Sequence, residues 1–259
     1  MDETPEPYIR EELDARSLHF SMAAIQSRMH LLRPDALELD YTRLVMGWPM
    51  LRPTAEKLAM IGLGGGSIAK FCHRHLPRTS MLVVEIDPRV IALRETFHVP
   101  PDDARFRVIE GEGAQFIAST DERFDVLMVD AFDADGMPAA LGTQRFYDDC
   151  LDALTADGLF VVNLHAGHPQ HSLYVDRIAR SFGQRILRVE DRDGSNAVVF
   201  AAKGDLLVHA GGGALRKPAT LADEPWKELR GAFSRIASAL QREHARDQAN
   251  VIAPSSSRP

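Results

Sequence analysis

The 259-residue sequence lacks several features that would place it in a specialised class of protein. It has only two cysteines, Cys72 and Cys150, which give no disulfide framework. No apolar run approaches the ~20 residues that a membrane span needs, so we expect no membrane partner. The first residues, MDETPEPYIREEL, are acidic and have no apolar core, which is not the pattern of a secretory signal. We therefore expect a cytoplasmic protein.

Basic residues are also in short supply. The chain has 30 Lys and Arg against 37 Asp and Glu, which gives a formal net charge of −7. Nucleic-acid-binding proteins usually carry a basic face, and no basic run of that kind occurs, so we expect no nucleic-acid partner. What the chain does have is 45% hydrophobic residues, which is enough for one large α/β domain with a small additional unit.

The most informative stretch is LAMIGLGGGSIAKFCHRHLPRTSMLVVEID, residues 58–87. It predicts a buried strand, a glycine-rich turn, a helix that begins at Ser67, and a second strand that ends near Glu85. Glu85 follows Gly62 by 23 residues, close to the spacing of a carboxylate that binds two ribose hydroxyls. The turn allows close approach of a ligand to bare backbone. Its glycines predicted to contact the ligand are Gly62, Gly64 and Gly65.

Strands and helices alternate along the rest of the chain, which predicts a doubly wound, mostly parallel sheet of seven strands. The last two strands are predicted as a pair, and a turn is predicted at Asp157–Gly158, before strand five. Ligands of such sheets bind outside the carboxyl ends of the strands. Here those ends carry the glycine turn, Glu85, Glu112 and Asp130, so we expect one nucleotide-binding cleft at this edge.

Three regions are predicted from composition and pattern. Residues 1–57 form an N-terminal arm and a small β-hairpin subdomain, in which LELDYTRLVMGWPML is a short strand leading into a helix. Residues 58–205 form the Rossmann-like domain that binds the ligand. Residues 206–259 contain a C-terminal helix and, from residue 247, a disordered tail; a glycine joint at 211–213 precedes the helix.

Carboxylates at two strand ends suggest a chemistry. Glu112, followed by Gly113, can accept the exocyclic amine of an adenine. In the sequence DAFDADG, Asp130 can take a proton from an ammonium group, which frees a nitrogen to attack a carbon next to a sulfonium, while Asp133 orients the cation. Mutual repulsion of these acids raises their pKa values, which suits a base at neutral pH. The alternative is a solvated acidic loop that caps a helix.

The histidines after strand five, His165, His168 and His171, do not have a zinc-binding spacing, and no cysteine is near them. We interpret them as loop residues at the rim of the cleft, and we expect no metal.

The chain resembles the spermidine synthase family, the polyamine aminopropyltransferases, from about Ser17 to Lys203. The similarity lies in IQSRM, LELDYTRLVM, IGLGGGS, VVEIDPRVI, EGEGAQF and VDAFDADGMPAAL. It implies a class I methyltransferase-like sheet beside an N-terminal β-subdomain. It also implies transfer of an aminopropyl group from decarboxylated S-adenosylmethionine to putrescine or a related polyamine, with methylthioadenosine as by-product. The donor would be a co-substrate rather than a permanently bound cofactor, and a homodimer is expected.

The resemblance also implies roles for single residues. Gln26 would touch the nucleoside side of the donor, and Tyr41 would line the amine channel. Glu85 would bind ribose, and Glu112 with Gly113 would recognise adenine. Asp130 would be the catalytic base, and Asp133 would hold the amine.

Three departures from the family pattern leave alternatives open. The turn acid that binds the donor's amine is replaced by Gly65, so repulsion of a donor carboxylate is lost. Thr42 and Arg43 replace two polar residues after the channel tyrosine, and Arg43 would add positive charge near the amine channel if its side chain points inward. The usual Tyr-Pro motif after strand five is absent. The alternatives are an S-adenosylmethionine-dependent methyltransferase, or another user of the intact donor, and a catalytically idle adenosyl-binding homologue.

Overall fold

The structure is a computed structural model that describes residues 6–20, 25–132, 136–210 and 215–252. An antiparallel sheet near the N-terminus contains the strands β1 (Tyr8–Glu11), β2 (Ala15–His19) and β3 (Ser27–His30). Two short helices follow, α1 (Asp40–Val45) and α2 (Trp48–Leu51). The predicted hairpin therefore has a third strand, because residues 8–11 of the predicted arm pair with β2.

A second sheet of seven strands follows in the chain. Its strands are β4 (Lys57–Ile61), β5 (Ser80–Glu85), β6 (Phe106–Glu110), β7 (Phe124–Val129), β8 (Leu154–His165), β9 (Ile186–Glu190) and β10 (Asn196–Ala202). Their order across the sheet is β6-β5-β4-β7-β8-β10-β9. Strands β4 to β8 pair in parallel, whereas β10 lies antiparallel to both β8 and β9. This confirms the doubly wound, mostly parallel sheet.

Helices cover both faces of this sheet. They are α3 (Ser67–His75), α4 (Pro88–Ala92), α5 (Gly113–Ser119), α6 (Gln144–Asp152), α7 (His171–Ser181), α8 (Leu206–His209) and α9 (Asp223–Ile252). A short 3₁₀ helix spans Ala139–Gly142. Within the described ranges, no helix combines the length and the apolar character needed to cross a bilayer.

Alternate residues of β4 explain why the sheet is covered on both sides. Leu58 and Met60 belong to an apolar cluster with residues of α1, α3 and α9, whereas Ala59 and Ile61 belong to one with residues of α5, α6 and α7. Successive side chains of a strand point to opposite faces, so a strand buried on both sides has a continuous apolar sequence. That pattern is what made the central strands visible in the sequence.

Two local predictions have different outcomes, and the first of them was wrong. Residues 37–39 do not form a strand; the backbone N–H of Leu37 donates to the side chain of Glu228 in α9, at 2.6 Å. The predicted Asp157–Gly158 turn is present, although it lies inside the range of β8, Leu154–His165. The chain folds back there, because a Cβ atom at Gly158 would lie 2.7 Å from Cβ of Leu154, and the pairing with β7 shifts its register at this point.

The C-terminal predictions have a mixed outcome. Helix α9 is present but extends to Ile252, so residues 247–252 of the predicted tail are helical. The predicted glycine joint at 211–213 and residues 253–259 lie outside the described residues.

Candidate active site

A cleft of about 140 Å³ lies at the carboxyl ends of β4, β5, β6 and β7, beside β3 and α1. It is where a doubly wound sheet places its ligand. Most of the residues predicted from the sequence line this one cleft: Gln26, Tyr41, Gly62, Gly64, Glu85, Glu112, Gly113 and Asp130.

Gly62 allows the end of β4 to approach the end of β7. It has a φ of +93°, and a Cβ atom there would lie 2.3 Å from the carbonyl oxygen of Asp130. The N–H of Asp130 in turn donates to the carbonyl of Ile61 at 3.0 Å. A side chain at position 62 would therefore push the two strand ends apart.

Gly65 is not part of the cleft wall, in contrast to the prediction. A Cβ atom at Gly65 would lie 2.6 Å from Oγ of Ser27 and 3.0 Å from the ring of Phe97. Ser27 itself lines the cleft, and its hydroxyl is hydrogen-bonded to that of Ser67 at 3.3 Å. Ser27 thus covers the turn at the position where a carboxylate side chain at residue 65 would have to pass.

Glu85 is held by the backbone at the end of β5. The N–H of Leu63 donates to its Oε2 at 2.7 Å, and the N–H of Asp87 donates to its Oε1 at 3.0 Å. The residue is only 8% exposed, yet it lines the cleft. Each carboxylate oxygen keeps a second acceptor site, so a diol can be bound without disturbing the backbone contacts.

Glu112 has a role that the sequence did not indicate, which is to cap α5. Its Oε1 accepts from the N–H of Ala114 at 3.0 Å, and its Oε2 accepts from the N–H of Gln115 at 2.7 Å. These bonds fix the carboxylate at the positive end of the helix. Gly113 brings α5 against β4, because a Cβ atom there would lie 2.3 Å from Cγ2 of Ile61.

Asp130 lies at the end of β7 between two hydrogen-bond donors. Nδ2 of Asn163 donates to its Oδ1 at 3.0 Å, and the hydroxyl of Tyr41 donates to its Oδ2 at 3.3 Å. Burial raises the pKa of Asp130 to about 6, while both donors oppose that rise. The pKa of Tyr41 is raised well above its usual value by burial and by the neighbouring carboxylate. Tyr41 therefore stays protonated and donates.

Asn163 was missed in the sequence. It is 1% exposed and lies in β8 within the run LFVVNL. The signal that would have found it is a lone polar residue in a strand buried on both faces. Such a residue needs a hydrogen-bonding partner, and the end of the adjacent parallel strand supplies it.

Several other predicted residues have different outcomes. Asp133 lies outside the described residues. Thr42 lines the cleft and donates its hydroxyl to the carbonyl of Leu39 at 2.6 Å. Arg43 does not enter the cleft; Nη2 donates to the carbonyl of Glu38 at 3.3 Å, and Nη1 lies 3.7 Å from Asp40. The expected positive charge near the amine is thereby directed elsewhere.

His165 is the last residue of β8 and lies beside the cleft, and His168 and His171 follow it in the chain. The ring of His165 stacks on Phe132, a cleft residue, with centroids 4.1 Å apart. Nδ1 of His171 lies 3.2 Å from the carbonyl of His165, and burial lowers the pKa values of both imidazoles. Among the residues that the structure describes, no group of three or more His, Cys, Asp or Glu is arranged to hold a metal.

The charged residues in the described lining of the cleft are all acidic. The described lining residues include four carboxylic acids and no Lys, Arg or His; the acids are Glu85, Asp87, Glu112 and Asp130. Apolar side chains such as Ile86 and Phe132 form much of the remaining wall. A cleft of this kind favours a ligand that has an aromatic or apolar body, hydroxyl groups and a positive charge.

Comparisons with known proteins agree with this geometry. Residues 38–186 match the spermine/spermidine synthase domain. A polyamine aminopropyltransferase of Neisseria meningitidis serogroup A is 37% identical over 199 residues, which covers 76% of each chain.

Two solved structures share the fold. A probable spermidine synthase from Corynebacterium glutamicum has a TM-score of 0.66 at 19% identity, covering 89% of this chain and 91% of its own. A spermidine synthase in complex with the transition-state analogue AdoDATO has a TM-score of 0.59 at 22% identity, covering 86% and 87%.

Proposed function

This chain belongs to the spermine/spermidine synthase family, and from that premise we propose that it is a polyamine aminopropyltransferase. The proposed donor is decarboxylated S-adenosylmethionine, and the proposed acceptor is putrescine or a related polyamine. The observation that carries the proposal is Asp130, a carboxylate with a pKa of about 6 between two donors, in a cleft lined by acids.

The residues have matching roles in this reaction. Glu85 binds the ribose hydroxyls through its remaining acceptor sites, and Glu112 accepts the adenine amine. Gln26 contacts the nucleoside side of the donor, and Tyr41 lines the channel for the amine. Gly62 and Gly64 bring the backbone close to the donor. Asp133 is proposed to hold the distal part of the amine.

The chemical step is a displacement at carbon. Asp130 takes a proton from the acceptor's ammonium group, and the freed nitrogen lone pair attacks the propyl carbon bonded to the sulfonium. A carbon–nitrogen bond forms as the carbon–sulfur bond breaks, and its electron pair remains on sulfur. Methylthioadenosine leaves, and the proton stays on Asp130 until solvent removes it. A base with a pKa of about 6 is mostly ionised at neutral pH, as this step requires.

Turnover tests the proposal directly. Purified protein with decarboxylated S-adenosylmethionine and putrescine is expected to release methylthioadenosine and the extended amine in equal amounts, measured by liquid chromatography and mass spectrometry. The matched control replaces putrescine with a diol of the same length, which has no nitrogen to attack. Absence of product over a panel of diamines and polyamines would contradict the proposal and support an idle adenosyl-binding protein.

A second candidate is the use of the intact donor, S-adenosylmethionine, for methyl transfer or a related reaction. The observation in its favour is Gly65, which leaves the turn without a carboxylate that would repel the carboxylate of the intact donor. Backbone N–H groups at such a turn, beside the start of α3, favour a carboxylate. Calorimetric titration with the two donors distinguishes the candidates, because strong preference for the decarboxylated donor would exclude the second.

The assembly and location of the protein are part of the proposal. We propose a cytoplasmic homodimer that acts on small molecules and has no nucleic-acid or membrane partner, as the resemblance and composition indicate. Light scattering would then give twice the chain mass of 28.7 kDa.

A further inference from the structure

We propose that Asn163 is a positioning residue whose side-chain amide holds the carboxyl group of Asp130 in both of its protonation states. The inference deepens the proposed function and rests on it where Asp130 acts as the base. It concerns a residue that lies behind the cleft wall and does not contact the substrate.

The sheet itself brings the two residues together. Val129 of β7 pairs with Val162 of β8, so the next residue on each strand is Asp130 and Asn163. Nδ2 of Asn163 donates to Oδ1 of Asp130 at 3.0 Å. On its other side, Asn163 pairs with Val198 of β10. The backbone of Asn163 is therefore held between two strands, and Asp130 is the one hydrogen-bond partner of its side-chain amide among the described residues.

The oxygen of the Asn163 side-chain amide is the second observation behind the proposal. Oδ1 of Asn163 is buried and has no hydrogen-bond partner within the described part of the chain. A buried acceptor without a partner is costly, so it calls for an explanation. An amide can present either its NH₂ or its oxygen to a carboxyl group, because a rotation of about 180° exchanges the two.

This rotation gives the unpaired oxygen a role in the reaction. While Asp130 is ionised, the NH₂ group of Asn163 donates to it. Once Asp130 has taken the proton from the substrate nitrogen, its new O–H becomes a donor and needs an acceptor. The rotated amide supplies Oδ1, so both states of the base have a partner in the same place. The hydrogen bond from Nδ2 of Asn163 to Oδ1 of Asp130 breaks as the new one forms, and no covalent bond changes in the rotation.

A second side chain, the hydroxyl of Tyr41, also donates a hydrogen bond to Asp130. Tyr41, on α1, is the titratable residue that contacts Asp130 among the described residues, at 3.3 Å. Its pKa is raised, so it donates throughout the neutral range and has a fixed influence. Asn163, from β8, carries no charge. Changes at Asn163 should therefore be visible in the titration of Asp130 itself.

The test is a titration of Asp130 by carbon NMR in protein labelled at the aspartate carboxyl carbons, with Asp130→Asn to assign the signal. We expect the wild-type midpoint near pH 6. Asn163→Leu removes the donor to the anion and should move the midpoint upward by about one pH unit, because bonds to charged groups are the stronger ones. Asn163→Ser, which replaces the amide with a hydroxyl on a shorter side chain, should give a smaller upward shift.

Thr79→Val is the matched control. Thr79 is also buried, and its hydroxyl bonds to the carbonyl of Leu76, away from the cleft. This variant should leave the Asp130 midpoint unchanged. An unchanged midpoint in both Asn163 variants would overturn the proposal; should Asn163→Leu fail to fold, Asn163→Ser decides alone.

Kinetics separate this proposal from the proposed function. In an active enzyme, the acid limb of kcat/KM should move with the NMR midpoint in Asn163→Leu, whereas KM for the donor should remain unchanged. Because the NMR titration needs no turnover, a shifted midpoint supports the role of Asn163 even in a protein that transfers nothing. Absence of turnover in the wild type would contradict only the proposed function.

Discussion

Glu85 and Asp130 are both carboxylates at strand ends, but the structure treats them differently. Glu85 receives two backbone N–H groups, which fix its position. Asp130 receives one amide and one hydroxyl, while burial raises its pKa to about 6. The arrangement around Glu85 suits a binding group whose position is fixed. The arrangement around Asp130 suits a group that gains and loses a proton.

Replacing Glu85 with Gln tests the binding role. The amide has only one acceptor oxygen, so its NH₂ would face the N–H of either Leu63 or Asp87. We expect the Kd for methylthioadenosine to rise about 10- to 100-fold, since losing a bond to a charged group is worth about 1.5–3 kcal/mol. Calorimetry measures it, with Glu110→Gln at the exposed end of β6 as control. Equal affinity in the two variants would contradict the assignment.

Replacing Asp130 with Asn tests how much the buried carboxylate lowers the stability of the folded protein. The pKa of Asp130 in the folded protein, about 6, lies above the ordinary aspartate value of 3.8, so native protein binds more protons than unfolded protein between these two pH values. Wild-type stability should therefore decrease as pH rises through about 6, and the Asn variant lacks this loss. We expect its Tm to exceed that of the wild type by about 3 °C at pH 8 and by less at pH 5. Scanning calorimetry at both pH values checks this, and an equal difference would refute it.

At the scale of elements, the site is built where strand ends, turns and helix starts meet. Glu112 both faces the cleft and caps α5, and Gly113 lets that helix lie against Ile61 of β4. Gly62 likewise allows the ends of β4 and β7 to lie close together. The positions of the functional carboxylates thus depend on close contacts made by glycine.

Two glycines two residues apart give a matched test of this dependence. A Cβ atom at Gly113 would lie 2.3 Å from Ile61, whereas one at Gly111 would meet Val84 at an ordinary 3.5 Å. We expect Gly113→Ala to lower the free energy of unfolding by about 1–3 kcal/mol through overpacking. Gly111→Ala should change it by about 0.5 kcal/mol or less. Urea unfolding measures both, and similar losses would argue against a packing requirement at Gly113.

Much of this arrangement could be predicted from the sequence because it depends on local patterns. Apolar runs such as Leu58–Ile61 identify strands buried on both faces, and parallel strands place their carboxyl ends at one edge. The acids at 85, 112 and 130 therefore had to meet there. Cleft residues such as Tyr41 and Gln26 came instead from the family resemblance.

The features that could not be predicted depend on contacts between residues that are distant in the sequence. The predicted strand before α1 is absent because Glu228, almost two hundred residues away, binds the backbone of Leu37. The register shift beside the Asp157–Gly158 turn could not be predicted either, because it is set by pairing with β7. Asn163 was overlooked for the same reason, since its partner lies on another strand. Periodicity reports which face a residue occupies, but not which side chain it meets there.

At the scale of the whole molecule, the net charge of the chain and the charge of the cleft lining have the same, negative sign. The chain carries a formal net charge of −7, and the described lining of the cleft has acids but no basic side chain. A low-dielectric cleft concentrates this negative potential and attracts cations. The proposed sulfonium donor and polyamine acceptor are both cations, whereas the expected by-product methylthioadenosine is neutral.

Salt dependence therefore distinguishes substrates from product. Raising the ionic strength from about 0.01 M to about 0.5 M should weaken binding of the sulfonium donor several-fold more than binding of methylthioadenosine, because screening acts on charge. Calorimetry with both compounds gives the comparison, and methylthioadenosine is the internal control. An equal response would show that the acids of the cleft do not attract the donor electrostatically.

The most direct test of the account is the pH dependence of methylthioadenosine release with decarboxylated donor and putrescine. Asp130 must be ionised to accept the proton, so kcat/KM should rise with pH and reach half of its plateau near pH 6. In Asp130→Asn the rate should fall by about 10²- to 10⁴-fold and lose this acid limb. A wild-type rate that is independent of pH between 5 and 8, or an Asn variant that keeps the wild-type rate, would contradict the role of Asp130 as the base.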